Sequence, residues 1–411
     1  MPRTPPDVRL IFAIRIARLF AYGSSSVILA LYLAQAGLNE GQIGLLLSLT
    51  LVGDTIITLW LSTRADRLGR RRMLGAGAVL MCLAGATFAL RRDFLALLVA
   101  ATLGVMSPSG NEVGPFLPIE QAAMAQIVPA GARTRVFAWY NLAGSLATAF
   151  GSLAAGGLSL ALLRAGFSAL ESYRAVLLGY AGLGLLLVGL ALRLSPRIEV
   201  PRNQFGDGRP IDHLGLGRSR PIVLKMAGLF SLDAFGGGFV VQSLMAYWFH
   251  LRFGADVGLL GAIFFAANLL AAASALSAAW LAERIGLLRT MVFTHLPSNV
   301  LLIAVPWMPT LPLAIALLLL RFSISQMDVP TRQAYLMTVV MPDERSAAAG
   351  LTGTARSIGA SAAPMLATPL LGNPALSGLP FLLSGALKIA YDVLLYRQLR
   401  DVPLAADQES G

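Results

Sequence analysis

The sequence predicts an all-α membrane protein, with twelve transmembrane helices in two pseudo-symmetric six-helix bundles. Three observations lead there. The 411 residues are 56% hydrophobic and 13% charged, with a mean hydropathy of +0.71, whereas an ordinary soluble domain carries about 25% charged residues. About twelve apolar runs have the roughly 20 residues that a helix needs to cross a bilayer. The two halves of the chain also resemble each other.

In chain order the expected spans are 10–35, 41–62, 73–90, 94–118, 136–160 and 173–192, then 222–249, 256–281, 290–308, 311–333, 346–370 and 378–396. An even number of spans puts both termini on one side. Arginines concentrate at the termini and in the loops that follow even-numbered spans, so that side is the cytoplasm. The loop at 64–72 alone holds five arginines. The stretch SPRIEVPRNQFGDGRPIDHLGLGRSRP at 195–221 is rich in Gly, Pro and Arg and reads as a cytoplasmic linker. The expected domains are therefore a bundle at 1–194, the linker at 195–221 and a bundle at 222–411. The first apolar run begins near Leu10, is far longer than a signal-peptide core and lacks a clear cleavage site. The expected location is the cell inner membrane.

Several function classes drop out. The net charge of +11 could suit nucleic acid, but the arginines are scattered through short loops between apolar runs. The single cysteine, Cys82, lies in an apolar run, so neither a disulfide frame nor a cysteine metal cluster is expected. His213, His250 and His295 lack metal-ligand spacing, so no metal is expected. Gly-Lys never occurs, which removes a phosphate-binding loop of the G-x-x-x-x-G-K-[ST] type. No G-x-S-x-G nucleophile turn is present. Neither enzyme activity nor a cofactor is expected.

The internal repeat rests on three ordered matches. AYGSSSV at 21–27 pairs with AFGGGFV at 234–240, ADRLGRRRM at 65–73 with AERIGLLRT at 282–290, and QAAMAQIVP at 121–129 with QAYLMTVVMP at 333–342. The offsets are 213, 217 and 212 residues. They fall in the first span, the loop after the second and the loop after the fourth, once per half.

Asp66-Arg67-Leu68-Gly69-Arg70-Arg71, after span two, resembles the G-x-x-x-D-R-x-G-R-R signature of the major facilitator superfamily. Ser62 stands where the leading glycine belongs. The degenerate copy Glu283, Arg284 and Gly286 after span eight and the central linker fit the same family, and the resemblance covers essentially the whole chain. It implies a secondary transporter that alternates access to a central cavity and moves a small solute. It also implies that the loop is a conformational latch. Asp66 suits the positive start of a helix, which the resemblance identifies as span eleven, opening at Pro342-Asp343-Glu344. Gly69 would allow a tight turn, and Arg70 would meet a carboxylate such as Glu120.

Charges within spans are expensive and are functional candidates. Asp233, about 11 residues past Ile222, lies roughly 16 Å into the bilayer. Arg321 sits at similar depth. Asp233 is expected either to carry a proton or to pair with Arg321, and Arg321 either to pair or to meet an anionic cargo. Asp54 is a further candidate. So is Glu112, in a stretch that Pro108, Pro115 and Pro118 would break. Lys388 and Asp392, four residues apart, are expected to pair along one face, and Arg15 and Arg18 to snorkel to the inner surface. The small-residue stripe GSLATAFGSLAAGG at 144–157 resembles the span-five signature of proton-linked exporters, although helix packing explains it equally well. The sequence is thus read as a monomeric transporter of a small solute, proton-coupled for export, with proton-coupled uptake as the alternative. An intramembrane enzyme or a non-transporting receptor is the reading from a different class. Reporter fusions at Arg209 and near Gly411 should both report the cytoplasm; a signal from the opposite side at either position would mean that the spans are miscounted.

Overall fold

The computed structural model describes residues 6–199, 216–341 and 344–400, and every regular element among them is helical. In chain order the α-helices are α1 (Pro6–Gln35), α2 (Glu40–Leu68), α3 (Arg70–Leu90), α4 (Phe94–Leu103), α5 (Phe116–Ile127), α6 (Ala130–Arg164), α7 (Ala169–Arg193), α8 (Arg220–Gly238), α9 (Gln242–Phe253), α10 (Val257–Ile285), α11 (Leu287–Ala304), α12 (Leu311–Phe322), α13 (Asp328–Val339), α14 (Arg345–Gly372) and α15 (Leu379–Leu399).

Local chemistry sets several of these boundaries. Asn39 with Gln42, and Ser168 with Glu171, form capping boxes that start α2 and α7. Asp93 caps α4 through the N–H of Ala96. Gly69 and Gly286 precede α3 and α11 with φ of 104° and 87°, which only glycine adopts freely. Large apolar side chains lie on the outer surface, among them Leu90 at 71% and Trp307 at 75% exposure. Such a surface suits lipid rather than water.

Among the described residues, nine stretches are long and apolar enough to cross a membrane, and α8 with α9 forms one of them, Arg220–Phe253. The other three expected spans are also helical, but each is interrupted or diluted. The span at 94–118 divides into α4, an irregular stretch at 104–115 and the start of α5. The span at 311–333 divides into α12, a five-residue turn and α13. The span at 346–370 lies in α14, which holds Pro364 and Pro369 and carries Arg356. Of the expected linker, Pro196–Ile198 forms a short 3-10 turn, and 200–215 lies outside the described residues.

The chain divides into two compact units. The first is Met1–Asp207 with Val241–Asn268, and the second is Gly208–Val240 with Leu269–Gly411. Within the first, α1 packs on α6, and α3 on α7. Within the second, α8 packs on α14, and α11 on α15. These are the same pairings under the internal repeat. Glycines set the close approach in both. A Cβ on Gly151 would lie 2.0 Å from the Phe20 carbonyl oxygen, and one on Gly23 2.1 Å from that of Thr148, across the α1–α6 contact. In the second unit, Gly359 and Gly238 stand equally close to the carbonyls of Ser231 and Ala360 across α8 and α14. Helices in lipid gain nothing from hiding apolar surface from one another, so backbone contact of this kind is what holds them.

Gly151→Leu and Gly359→Leu should therefore each push one helix pair apart and destabilise the protein by about 1–3 kcal/mol. Gly157→Leu on the same α6 meets open space and should be neutral. Thermal unfolding in detergent checks this; equal Tm values for Gly151→Leu and Gly157→Leu would refute the packing account.

Candidate functional site

Each unit buries a network of charges where a span is broken. In the first unit the break at 104–115 leaves backbone groups without helical partners, and side chains from neighbouring helices supply them. Tyr22 and Tyr180 donate to the carbonyls of Val113 and Val105, and the N–H of Gly114 donates to Asp54. Irregular backbone at membrane depth is tolerated only with such partners. Glu112 lies in this break. It accepts from Arg15 at 2.7 Å and from Arg18 at 2.8 Å. Arg18 is fully buried and also pairs with the fully buried Glu120 at 2.5 Å. Tyr140 donates to Glu120, while the Arg15 and Arg18 guanidiniums lie over Tyr140 and Phe116 at 4.0 and 4.5 Å. Two arginines thus face two glutamates. Asp54 is different: it accepts from the Gly114 N–H and the Thr58 hydroxyl, and meets no cation among the described residues.

In the second unit the centre is Asp233 on α8, 2% exposed. Lys388 reaches one of its oxygens at 2.6 Å. Arg356 and Arg332 reach the other at 2.8 and 3.2 Å. Arg332 also pairs with Asp328, one turn away on α13, at 2.9 Å. The imidazole of His295 stands between two acids, with Nδ1 2.9 Å from Asp392 and Nε2 3.8 Å from Asp233. Asn299 donates to the other oxygen of Asp392 at 3.1 Å. Arg321, at the end of α12, is 8% exposed and makes no hydrogen bond or ion pair among the described residues; its Nε has no partner.

The two networks occupy matching places with opposite polarity. Glu120 precedes Gln121 as Arg332 precedes Gln333 in the repeat. The first unit therefore pairs a cation on α1 with an acid on α5, and the second pairs an acid on α8 with a cation on α13.

The comparisons with known proteins follow this architecture. The family profile described as Major Facilitator Superfamily matches residues 11–364. The chain belongs to the major facilitator superfamily. An uncharacterised membrane protein of Saccharomyces cerevisiae, YJR124C, is 31% identical over 417 residues, covering 95% of this chain and 93% of the yeast protein. The solved nucleoside transporter NupG superposes with a TM-score of 0.74 at 15% identity, covering 96% of this chain and 100% of that one. A D-xylose–proton symporter superposes with a TM-score of 0.73 at 16% identity, covering 95% and 97%. The protein is a multi-pass membrane transporter and not an enzyme.

Several expected partnerships of this transporter are corrected by geometry. Asp233 does not pair with Arg321, because three other cations already occupy both of its oxygens. Lys388 and Asp392 do not pair with each other: Lys388 turns to Asp233, and Asp392 to His295 and Asn299. Arg15 and Arg18 do not snorkel, because two glutamates inside the bundle offer shorter routes to neutralisation. Arg70 does not meet Glu120. It pairs with Asp66 at 2.8 Å and donates to Gln126 and the Ile198 carbonyl, since Gln126 lies nearer the C-terminal end of α5 than Glu120.

In the signature loop Arg67 is exposed and Asp66 has a side chain 54% exposed. In the degenerate copy Glu283 is exposed, and Arg284 lies over Trp280 at 3.9 Å. Pro342 and Asp343, the expected opening of span eleven, lie outside the described residues.

Two helix starts among the described residues receive acids from other segments. Glu199 accepts from the N–H groups of Arg70 and Arg71 at 2.6 and 3.2 Å, at the start of α3. Glu344 accepts from the N–H groups of Gly217, Arg218 and Ser219 at 2.8, 2.9 and 2.9 Å, just before α8. Sequence reasoning missed Glu199, Arg332, Arg356 and the role of His295. The position of Arg332 in the repeat was the readable signal for that residue; the other three carried none.

Glu344 yields a pH prediction. Burial pushes its carboxyl up, but the backbone N–H groups of Ser219, Gly217 and Arg218 outweigh that and hold it below the usual carboxylate range. Its stabilisation is then present above the unfolded value of about 4.3 and is lost as pH falls through the lower folded value. Glu344→Gln should cost about 1–2 kcal/mol near pH 7. The Tm difference from wild type should shrink towards zero as the pH drops below about 4; a difference constant with pH would show that the ionised carboxylate contributes nothing.

Proposed function

We propose that this transporter is driven by protons and that Asp54 carries them. The observation behind this reading is that Asp54 is the one acid among the described candidates in the spans that faces no cation. Protonating Asp233 would strip three cations of their common partner, and protonating Glu112 would do the same to two. Buried pairs broken in this way cost several kcal/mol each. Asp54 can gain and lose a proton without breaking an ion pair. Its contact with Gly114 ties it to the broken helix, and broken helices in transporters border the binding cavity. The Asp66–Arg70 loop keeps its proposed role as a conformational latch, and the arginine bias supports a cytoplasmic position for both termini and the 195–221 segment.

The direction of transport needs separate support. The stripe at 144–157, expected as a pointer to export, is occupied in packing: Gly144 lies against Arg15, Gly151 against Phe20 and Gly156 against Gly261. Export therefore rests on the resemblance alone.

One measurement addresses both points. Proteoliposomes holding a pH-sensitive dye are mixed with a low-molecular-mass cell extract. Cargo entry by exchange with protons should make the lumen alkaline; entry together with protons should make it acidic. Wild type should show one of these changes and Asp54→Asn neither, while Asp54→Asn still exchanges labelled extract components. A wild-type-sized signal in Asp54→Asn would remove Asp54 from the mechanism, and the absence of any signal in wild type would remove proton coupling.

A further inference from the structure

Among the described residues of the second unit, Arg321 is the buried cation that no carboxylate pairs with. A guanidinium stays protonated in any protein environment, and a charge at membrane depth needs a counter-charge or a route to water. Both acids within electrostatic reach, Asp328 and Asp233, are engaged elsewhere. Asp328 pairs with Arg332, while Asp233 serves Lys388, Arg356 and Arg332. Asp392 is tied to His295 and Asn299. Four cations, Arg321, Arg332, Arg356 and Lys388, thus share three carboxylates, and one positive charge is left over when His295 is neutral.

A structural role at the helix end is the competing explanation. Arg321 lies in the last turn of α12, where a cation favours the negative end of the helix. Yet the carbonyls it would serve are already taken. Leu319 and Arg321 accept from the N–H groups of Ser323 and Ile324, and Leu320 from the Ser323 hydroxyl. The ring of Phe322 is 5.0 Å from the guanidinium, within cation–π range, but a ring carries no net charge and leaves the positive charge unbalanced. The corresponding break in the first unit carries Glu112, and that charge is met by two arginines of the chain. At the break between α12 and α13 the described residues supply no such partner.

We propose that the cargo supplies it: Arg321 binds an oxyanion, a carboxylate or a phosphate, so the transported solute is a small organic anion. This rests on the transporter reading above and adds the chemical class of the solute. The planar fork of the guanidinium presents two parallel N–H groups to two oxygens of such an anion. Arg356, whose side chain is 32% exposed, is the second cation that the anion can share with Asp233.

The test uses the full-length protein in detergent and a low-molecular-mass cell extract split on an anion-exchange resin. The retained fraction should raise the wild-type Tm by at least about 2 °C, and the flow-through should not. Arg321→Met should abolish the shift and at the same time raise the Tm of the empty protein, because it removes an unmatched buried charge. Arg321→Lys, which keeps the charge but loses the fork, should show a reduced shift, and it decides the question if Arg321→Met does not fold. Phosphatase treatment of the retained fraction separates the sources: a lost shift assigns a phosphate and a surviving one a carboxylate, and both support the proposal. A shift caused by the flow-through, or a full shift in Arg321→Met or Arg321→Lys, overturns the anion assignment and leaves the transporter reading standing. No shift of wild type with either fraction also overturns the anion assignment, while the transporter reading stands on family membership.

Discussion

A charge placed inside a membrane span needs a partner, and much of this structure follows from how the chain supplies one to most of them. Arg18 and Glu120 are both fully buried, which is tolerable only because each satisfies the other and both have further partners in Glu112 and Tyr140. The same holds around Asp233, where one carboxylate accepts from three cations. Such clusters are poor sources of stability compared with apolar packing, but breaking one member is severe. They fix how the helices that carry them are rotated. α1 must turn Arg15 and Arg18 toward α5 and the break at 104–115, and α8 must turn Asp233 toward α13, α14 and α15.

Close helix contact makes those short charge distances possible. Gly23 and Gly151 bring the backbones of α1 and α6 together, as Gly238 and Gly359 do for α8 and α14. A side chain at any of these four positions would meet a backbone carbonyl. The two units thus keep one packing plan while their buried pairs have exchanged sign. Repetition has constrained the backbone more tightly than it has constrained the charges, which is expected if helix packing tolerates either sign at a pair position as long as the pair stays complementary. The acids at helix starts show the same latitude. Glu199 and Glu344 both accept from consecutive backbone N–H groups at or just before a helix start, yet they occupy different places in the two units.

The helical class, the repeat and the broken stretch near Glu112 were legible in the sequence because each depends on local composition or spacing. Prolines and glycines interrupt a helix wherever they fall, and the positive φ of Gly69 and Gly286 follows from the turn that starts the next helix. Partner choice was not legible. Lys388 has Asp392 one turn away on its own helix, but α15 presents Lys388 to α8 and Asp392 to α11. The rotation of one helix against its neighbours decides between two chemically equal pairings, and a single sequence carries no record of that rotation. Arg332 is the instructive exception: it stands one residue before the repeated glutamine, as Glu120 does, so the repeat already marked it.

The two groups left without a counter-charge are of opposite sign. Among the described charges inside the spans of the first unit, Arg15 and Arg18 balance Glu112 and Glu120, with Asp54 in excess. In the second unit Arg321 is in excess. An ionised Asp54 and an empty Arg321 therefore leave the membrane-embedded charges balanced in number. Adding a proton to Asp54 alone, or an anion to Arg321 alone, upsets that balance by one charge, whereas adding both restores it. A carrier reorients across a membrane most easily when the charge it moves is small, because each elementary charge carried through 100 mV costs about 2.3 kcal/mol. On the two proposals above, the states that reorient readily are the empty one and the one holding proton and anion together. That is the logic of cotransport, and it favours acidification of the lumen when anionic cargo enters.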